Sequence, residues 1–241
     1  GSTRVSQAFA QLGYDTTSSD ISIWSEVSAT CYLRSNKSKG FYQKIIDHLN
    51  GLKGYDGWYT QHYGAEPTGT KRPFQTKNTR KLDAIRDEIE NLNLEWEDKC
   101  VVLASLIYAL DSVDSTLGHY VSYLSEWSPR SYKDMVMKLP ARFDCKGDEN
   151  RVLRGDIFDT ISENEFDFVY FDPPYGSNNE KMPPSRVRYA SYYHIWTTII
   201  KNDKPVVFGK ANRREDSRDQ VACSPFEEFR KDENGSFIAI Q

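Results

Sequence analysis

Phe166-Asp167-Phe168-Val169-Tyr170-Phe171-Asp172-Pro173-Pro174-Tyr175-Gly176 is the stretch on which the fold turns. Its first six residues are aromatic-rich and of strand length, so a strand is expected over 166–171. Asp172 then stands at the strand's carboxyl end, where open α/β sheets bind their ligands. Pro173 and Pro174 each fix φ and lack an N–H. The backbone there becomes a rigid ledge of acceptors, with the Asp172 carboxylate before it and the Tyr175 ring after it. Such a ledge suits a planar exocyclic amine. Two acceptors, the Asp172 carboxylate and a proline carbonyl, hold both N–H bonds and draw the nitrogen toward a tetrahedral shape. Positioning of this kind supplies roughly 7–11 kcal/mol of a barrier at the extreme. Stacking on Tyr175 adds about 1–3 kcal/mol. The alternative is a proline-rich turn with Tyr175 in the core; the strand before it and Gly176 after it favour the chemical reading.

Outward from this stretch the pattern alternates. Upstream, Arg151-Val152-Leu153-Arg154 reads as a short strand ending in Gly155-Asp156. Downstream, a helix is expected over 190–200 and a strand over 205–209. At the start, Val5, Ala8, Phe9 and Leu12 share a helical face and Gly13 stops it. A short strand over 14–19 ends at Asp20, and apolar spacing predicts helices over 22–34 and 37–49. The middle differs. Residues 51–70, rich in Gly and Tyr, read as a long loop. Helices follow over 79–93 and 97–113, and 118–139 mixes aromatic and polar residues. No strand is expected in this middle part. The division is therefore 1–55, the first part of an α/β domain; 56–145, a helical insertion; and 146–241, the second part of the α/β domain.

The 241 residues allow one large domain with an insertion, and 38% hydrophobic content allows a packed core. A net charge of −4 weighs mildly against a strongly basic nucleic-acid binder without excluding one, because Lys and Arg can concentrate on a single face. Cys31, Cys100, Cys145 and Cys223 are widely spaced without a CxxC pair, so they read as reduced, buried thiols, and no metal site is expected. No signal peptide and no apolar run of about 18 residues is present, so a cytoplasmic protein without a membrane span is expected. Gly1-Ser2 reads either as a cloning remnant or as the tail of a glycine-rich loop. The run 236–241 looks like the start of another element. The chain accordingly reads as a fragment lacking a first strand and a C-terminal end.

Asp172-Pro173-Pro174-Tyr175 resembles motif IV of amino-methyltransferases in its adenine-specific form. Asn78-Thr79-Arg80-Lys81-Leu82-Asp83-Ala84-Ile85-Arg86 is similar to a segment of one subgroup of adenine-specific DNA methyltransferases. So is the run from Leu103 through Gly118-His119-Tyr120 to Trp127. The order is that of the Dam-like, α-type enzymes. The resemblance implies a Rossmann-like class I methyltransferase fold and transfer of a methyl group from S-adenosyl-L-methionine to the N6 amine of adenine. It implies double-stranded DNA as partner, the base being flipped out of the stack at a cost of a few kcal/mol. A restriction-modification setting with a cognate endonuclease, and a monomeric enzyme, are part of the same expectation.

Site residues follow from the resemblance. Gly1, Ser2 and Thr3 look like the second half of the glycine-rich motif I loop, around the methionine part of the cofactor. Asp20 matches the acid that binds the ribose hydroxyls, and Asp156 the acid at the adenine amine, with Ile157 or Phe158 packed on that ring. Each isolated Asp also reads as a loop or cap residue. Lys71, Arg72, Lys77, Arg80 and Lys81, with Lys210 and Arg213, are candidates for phosphate contacts, or form solvated faces. Arg86 pairs with Asp83 or Glu90 within its helix, or joins the phosphate contacts. Arg214, His119 and Tyr120 carry less weight, and His119 and Tyr120 equally read as packing residues. Arg186, Arg188, Tyr189, Tyr192 and Tyr193 fall where the family covers the target base; Tyr192 and Tyr193 also read as the buried face of the next helix. The rival readings are an RNA adenine methyltransferase, a catalytically inert DNA-binding remnant, and a nucleotide-binding protein with Asp172 on a metal.

Overall fold

The structure, a computed structural model, describes residues 1–69, 71–142, 149–162, 165–172, 189–217, 229–231 and 237–239, the side chains of 161, 162 and the last two segments excepted. Along the chain run α1 (Arg4–Leu12), β1 (Thr17–Asp20), α2 (Ile23–Leu33), α3 (Lys39–Gly51), α4 (Trp58–Tyr63), β2 (Gly64–Ala65), β3 (Phe74–Gln75), α5 (Thr76–Asn91) and α6 (Trp96–Asp111). After a 3-10 turn at Pro129–Tyr132 come β4 (Arg151–Arg154), α7 (Ile157–Ser162), α8 (Tyr189–Tyr192), α9 (His194–Lys201), β5 (Val207–Phe208), β6 (Arg213–Arg214), β7 (Phe229–Lys231) and β8 (Phe237–Ala239).

The first helix starts after Thr3, which sits in the left-handed region, and stops at Gly13, also left-handed at φ 101. The chain then enters β1, which pairs in parallel with β4 in the register Thr17 to Arg151 through Asp20 to Arg154. Successive side chains alternate between faces. On one face Val152 packs with Ala10 of α1 and Ala29 and Leu33 of α2. On the other, the Ser19 hydroxyl lies 3.1 Å from that of Thr160 in α7. Among the described residues, helices therefore lie on both sides of the strand pair.

The larger core joins the expected insertion to its flanks. Val27 and Cys31 of α2 and Tyr42, Ile46 and Leu49 of α3 meet Leu82, Ile85 and Ile89 of α5, much of α6, and Ile195, Ile199 and Ile200 of α9. Burying this much apolar surface is the main force holding the parts together. Cys31 and Cys100 are free and buried, and burial pushes the Cys31 thiol up to about 12. No helix among the described residues is long and apolar enough to cross a membrane.

Four expectations are corrected. The stretch 51–70 contains α4 and β2, because α4 receives its N-terminal cap from a distant carboxylate. The middle holds the parallel pair β2–β3, Gly64 opposite Phe74 and Ala65 opposite Gln75; two residues per strand leave no periodicity to read. The helix over 190–200 is two, α8 and α9, meeting at Tyr193. Residues 166–171 run as irregular chain, with Phe168 64% exposed. A strand needs a neighbour for its N–H and C=O groups, and no described strand pairs with this segment.

Candidate active site

The acids at the strand ends define the site. Asp20 ends β1, and the Gly155 N–H donates to its carbonyl at 3.2 Å, so Gly155-Asp156 follow β4 directly beside it. Asp20 Oδ1 accepts from the Ser22 N–H at 2.8 Å, and Oδ2 contacts the Gly1 amine. That amine also donates to Ser25 Oγ at 2.8 Å. Thr3 accepts from the Gln7 N–H at 2.9 Å and, through Oγ1, from Gln7 Nε2 at 2.8 Å. Asp156 Oδ1 accepts from the Phe158 N–H at 3.0 Å at the entry to α7. The structure thus brings Gly1, Ser2, Thr3, Asp20, Asp156, Ile157 and Phe158 to one end of one strand pair. Exposed Ile21 and Phe158 supply apolar surface beside the two carboxylates. Chemically, the group offers acceptors for hydroxyls or an amine next to an apolar ledge.

Of the motif that opened the reading, Asp172 is described and exposed; Pro173, Pro174 and Tyr175 lie outside the described residues, as do Arg186 and Arg188. Phe168 leads toward Asp172 along the face of α1, its ring 5.4 Å from that of Phe9. The tyrosines that follow form an aromatic wall. Tyr193 stacks on Trp196 at 4.4 Å and lies 5.0 Å from Trp24; Tyr189 stacks on Tyr193, and Tyr192 on His119 at 4.8 Å. Tyr193 and Trp196 line a cavity of about 200 Å³ with Asp111, Asp114, Gly118, Tyr120 and Arg130. Asp111 Oδ1 accepts from Tyr120 Oη at 2.6 Å and Trp196 Nε1 at 3.3 Å. Burial raises its carboxyl to about 6. Asp114 is raised too, again by burial, despite its contact with Arg130. Sequence reasoning missed Asp111, Asp114, Trp24 and Trp196, since nothing local marks residues that meet across α2, α6 and α9.

The candidate basic residues separate into two groups. Lys71, Arg72, Lys210 and Arg213 gather on one side. Lys71 Nζ donates to the Leu124 carbonyl at 3.3 Å and lies 5.7 Å from the Trp127 ring centre. Arg72 reaches the Lys210 carbonyl at 3.4 Å, and Arg213 covers the Phe208 ring at 4.6 Å. Along α5 the cations are engaged otherwise. Lys77 bonds Asp134 at 2.7 Å, Arg80 grips Asp56 at 2.6 and 3.2 Å, and Lys81 donates to the Asn50 and Leu52 carbonyls at the end of α3. Arg214 is buried between Asp203 and Asp216. The Asn78–Arg86 run is structural in each polar position that it buries. Asn78 bonds the Lys133 carbonyl and the Met135 N–H. Asp83 bonds the start of α4. Arg86, 0% exposed, pairs with Glu90 and donates to the Ile199 and Ile200 carbonyls at the end of α9.

Known proteins resemble the chain over most of its length. It is 31% identical over 224 residues to the modification methylase StsI of Streptococcus sanguinis, a match covering 87% of this chain and 32% of the relative. It is 27% identical over 189 residues to the type II methyltransferase M.NlaIII of Neisseria lactamica, covering 75% of this chain and 52% of the relative. It is 26% identical over 167 residues to the type II methyltransferase M.CviAII of Paramecium bursaria Chlorella virus 1, covering 66% and 46%. The chain thus spans about a third to a half of the length of these relatives. No solved structure matches it significantly. The model of one family covers residues 1–229, and the chain belongs to that family, the D12 class N6 adenine-specific DNA methyltransferases.

Proposed function

We propose that the chain transfers a methyl group from S-adenosyl-L-methionine to the exocyclic N6 amine of adenine in double-stranded DNA. The observation that carries this is the meeting of Gly1–Thr3, Asp20 and Asp156 at the carboxyl end of the β1–β4 pair. The group fits the cofactor's chemistry. Asp20, a carboxylate at this end, is an acceptor suited to ribose hydroxyls. Asp156 accepts from the adenine amine of the cofactor, and Ile157 or Phe158 packs on its ring. The cofactor supplies an electrophilic methyl group. The Asp172 carboxylate and one proline carbonyl of Pro173-Pro174 hold the target amine so that its lone pair faces that methyl, and Tyr175 stacks on the base.

Parallel strands with helices on both faces support a Rossmann-like class I sheet built from 1–55 and 146–241, with 56–145 as the DNA-recognition part. Lys71, Arg72, Lys210 and Arg213 take phosphates and set the position of the duplex; Lys77, Arg80 and Lys81, held by internal partners, contribute less. The relatives' names, modification methylase and type II methyltransferase, support a restriction-modification setting with a cognate endonuclease. A monomer in the cytoplasm completes the reading. The test is transfer of a labelled methyl group to duplex DNA, with N6-methyladenine detected, by wild type and Asp172→Ala. Removing one preorganised group lowers the rate about a hundredfold or more. Equal transfer by the two proteins overturns the assignment.

A further inference from the structure

We infer that Asp111 is a positioning residue for methyl transfer: through Tyr120 and Trp196 it fixes α9, a helix that follows the motif at 172–175, against the part proposed to read DNA. The inference rests on the methylation reading above. It starts from a carboxylate in an unfavourable place. Asp111 is the last residue of α6, at the negative end of that helix, where an acid is disfavoured. It is also drawn out of water, and burial, aided by the charge of Asp114, raises its carboxyl to about 6. Positions where local rules fail are expected at functional sites.

What Asp111 holds is a joint. Its Oδ1 accepts from Tyr120 Oη at 2.6 Å and from Trp196 Nε1 at 3.3 Å, and Trp196 Nε1 lies 3.3 Å from Tyr120 Oη as well. The end of α6, the chain after it and the first turn of α9 meet in this triangle. Tyr120, 2% exposed, commits its backbone to the same joint. Its N–H donates to the Tyr192 carbonyl at 2.9 Å, and its carbonyl accepts from His194 Nε2 at 3.2 Å. The other end of α9 is held from the same part of the chain: Tyr59 Oη donates to the Thr198 carbonyl at 3.2 Å, and Arg86 to the carbonyls of Ile199 and Ile200. Residues of 56–145 thus grip α9 at both ends. The far grip is buried in the core. The Asp111 end borders the cavity of about 200 Å³, so hydrogen bonds rather than close packing set its position.

Trp196 carries that position onward. It stacks on Tyr193 at 4.4 Å, and Trp24 packs against the two rings at 5.0 and 5.6 Å. Trp24 stands in the first turn of α2, whose N-cap residue, Ser22, donates its N–H to Asp20. A continuous set of contacts therefore runs from Asp111 to the acid proposed to bind the cofactor's ribose. A misplacement of about 1 Å costs about a hundredfold in rate even when it starts far from the reacting atoms. Such a path amounts to coupling only when a change at one end is felt at the other.

The experiment measures single-turnover methylation of a duplex whose site has been mapped on plasmid DNA, with separate dissociation constants for that duplex and for S-adenosyl-L-methionine. Tyr120→Phe, which removes one hydroxyl and keeps the ring, and Asp111→Ala each lower the single-turnover rate about tenfold to a hundredfold. Both dissociation constants stay within about threefold of wild type, so the loss lies in the rate and not in binding. Asp111→Asn, whose amide oxygen still accepts from both donors, keeps the rate within about threefold of wild type. Asp111→Ala combined with Tyr120→Phe is no slower than Asp111→Ala alone, because residues of one hydrogen-bonded unit do not add. If Asp111→Ala does not fold, Tyr120→Phe and Asp111→Asn carry the same test. An unchanged rate in Tyr120→Phe, or a loss that only follows weakened binding, overturns the proposal while wild-type methylation stands. If wild type transfers no methyl group, the methylation reading falls and this inference falls with it.

Discussion

Replacing Asp83 by alanine removes a helix cap supplied from another helix. The N-cap position of α4 is Gly57, which has no side chain to offer. Asp83, 3% exposed on α5, takes that place. Its carboxylate accepts from the N–H groups of Gly57 at 3.1 Å, Tyr59 at 2.8 Å and Thr60 at 2.9 Å, and from the Thr60 hydroxyl at 2.6 Å. Two of these are first-turn N–H groups that an α-helix leaves unpaired, and the negative charge also suits the positive end of the helix. A lost cap alone costs about 0.5–2 kcal/mol. Bonds to a charged group are worth about 1.5–3 kcal/mol each, but neighbours do not add. The expected loss for Asp83→Ala is therefore about 3–5 kcal/mol, near that for breaking a buried charged network. At about 2–4 °C per kcal/mol, Tm falls by about 10 °C. Asp83→Asn keeps one acceptor oxygen but sets an amide donor against donors, and costs about 1–3 kcal/mol. Urea unfolding followed by circular dichroism measures both. A loss below about 1 kcal/mol for the alanine variant, with an unchanged m-value, refutes the capping argument.

Two further outcomes follow from contacts already described. His194 is buried, and burial lowers its pKa from 6.5 to about 4. The unfolded chain then binds a proton that the folded chain refuses, so this contribution is lost as pH falls from 6.5 toward 4. His194→Gln flattens that part of the stability–pH curve, and an unchanged slope counts against it; Asp111, raised to about 6 by burial, acts in the opposite sense over about pH 4–6 and is replaced by Asn in both proteins to isolate the histidine. For DNA affinity against salt, Arg213→Ala reduces the slope by about 1, as loss of one phosphate contact does, while Arg80→Ala, whose guanidinium is held by Asp56, leaves the slope unchanged. The reverse pattern would move the DNA face onto α5.

Within the candidate site, the acids were legible because Asp20 ends one legible strand and Asp156 follows another by two residues. Asp20 and Asp156 stand where local patterns stop, and their adjacency follows once β1 and β4 pair in parallel. The cavity lined by Asp111, Tyr120, Tyr193 and Trp196 was not legible, because α6, the segment after it and the start of α9 meet only through packing. The basic residues were legible as a class but not as a surface. Lys81 closes α3 and Arg214 is buried between two carboxylates, and only the packing of their partners separates them from Lys71 and Arg213.

The sequence by itself determined the helices α1, α2, α3, α5 and α6 to within a few residues, since helix hydrogen bonds are local and the apolar face repeats within the segment. It also determined the strands that end in Asp20 and lead to Asp156, and through the residues around Asp172 it pointed to the family. Only the tertiary structure decided that Trp58–Tyr63 is helical, because its cap arrives from Asp83, 24 residues beyond Tyr59. Only the tertiary structure decided that 166–171, strand-like in composition, runs as irregular chain among the described residues. A strand's hydrogen bonds belong to its neighbours, and no run of side chains can supply them.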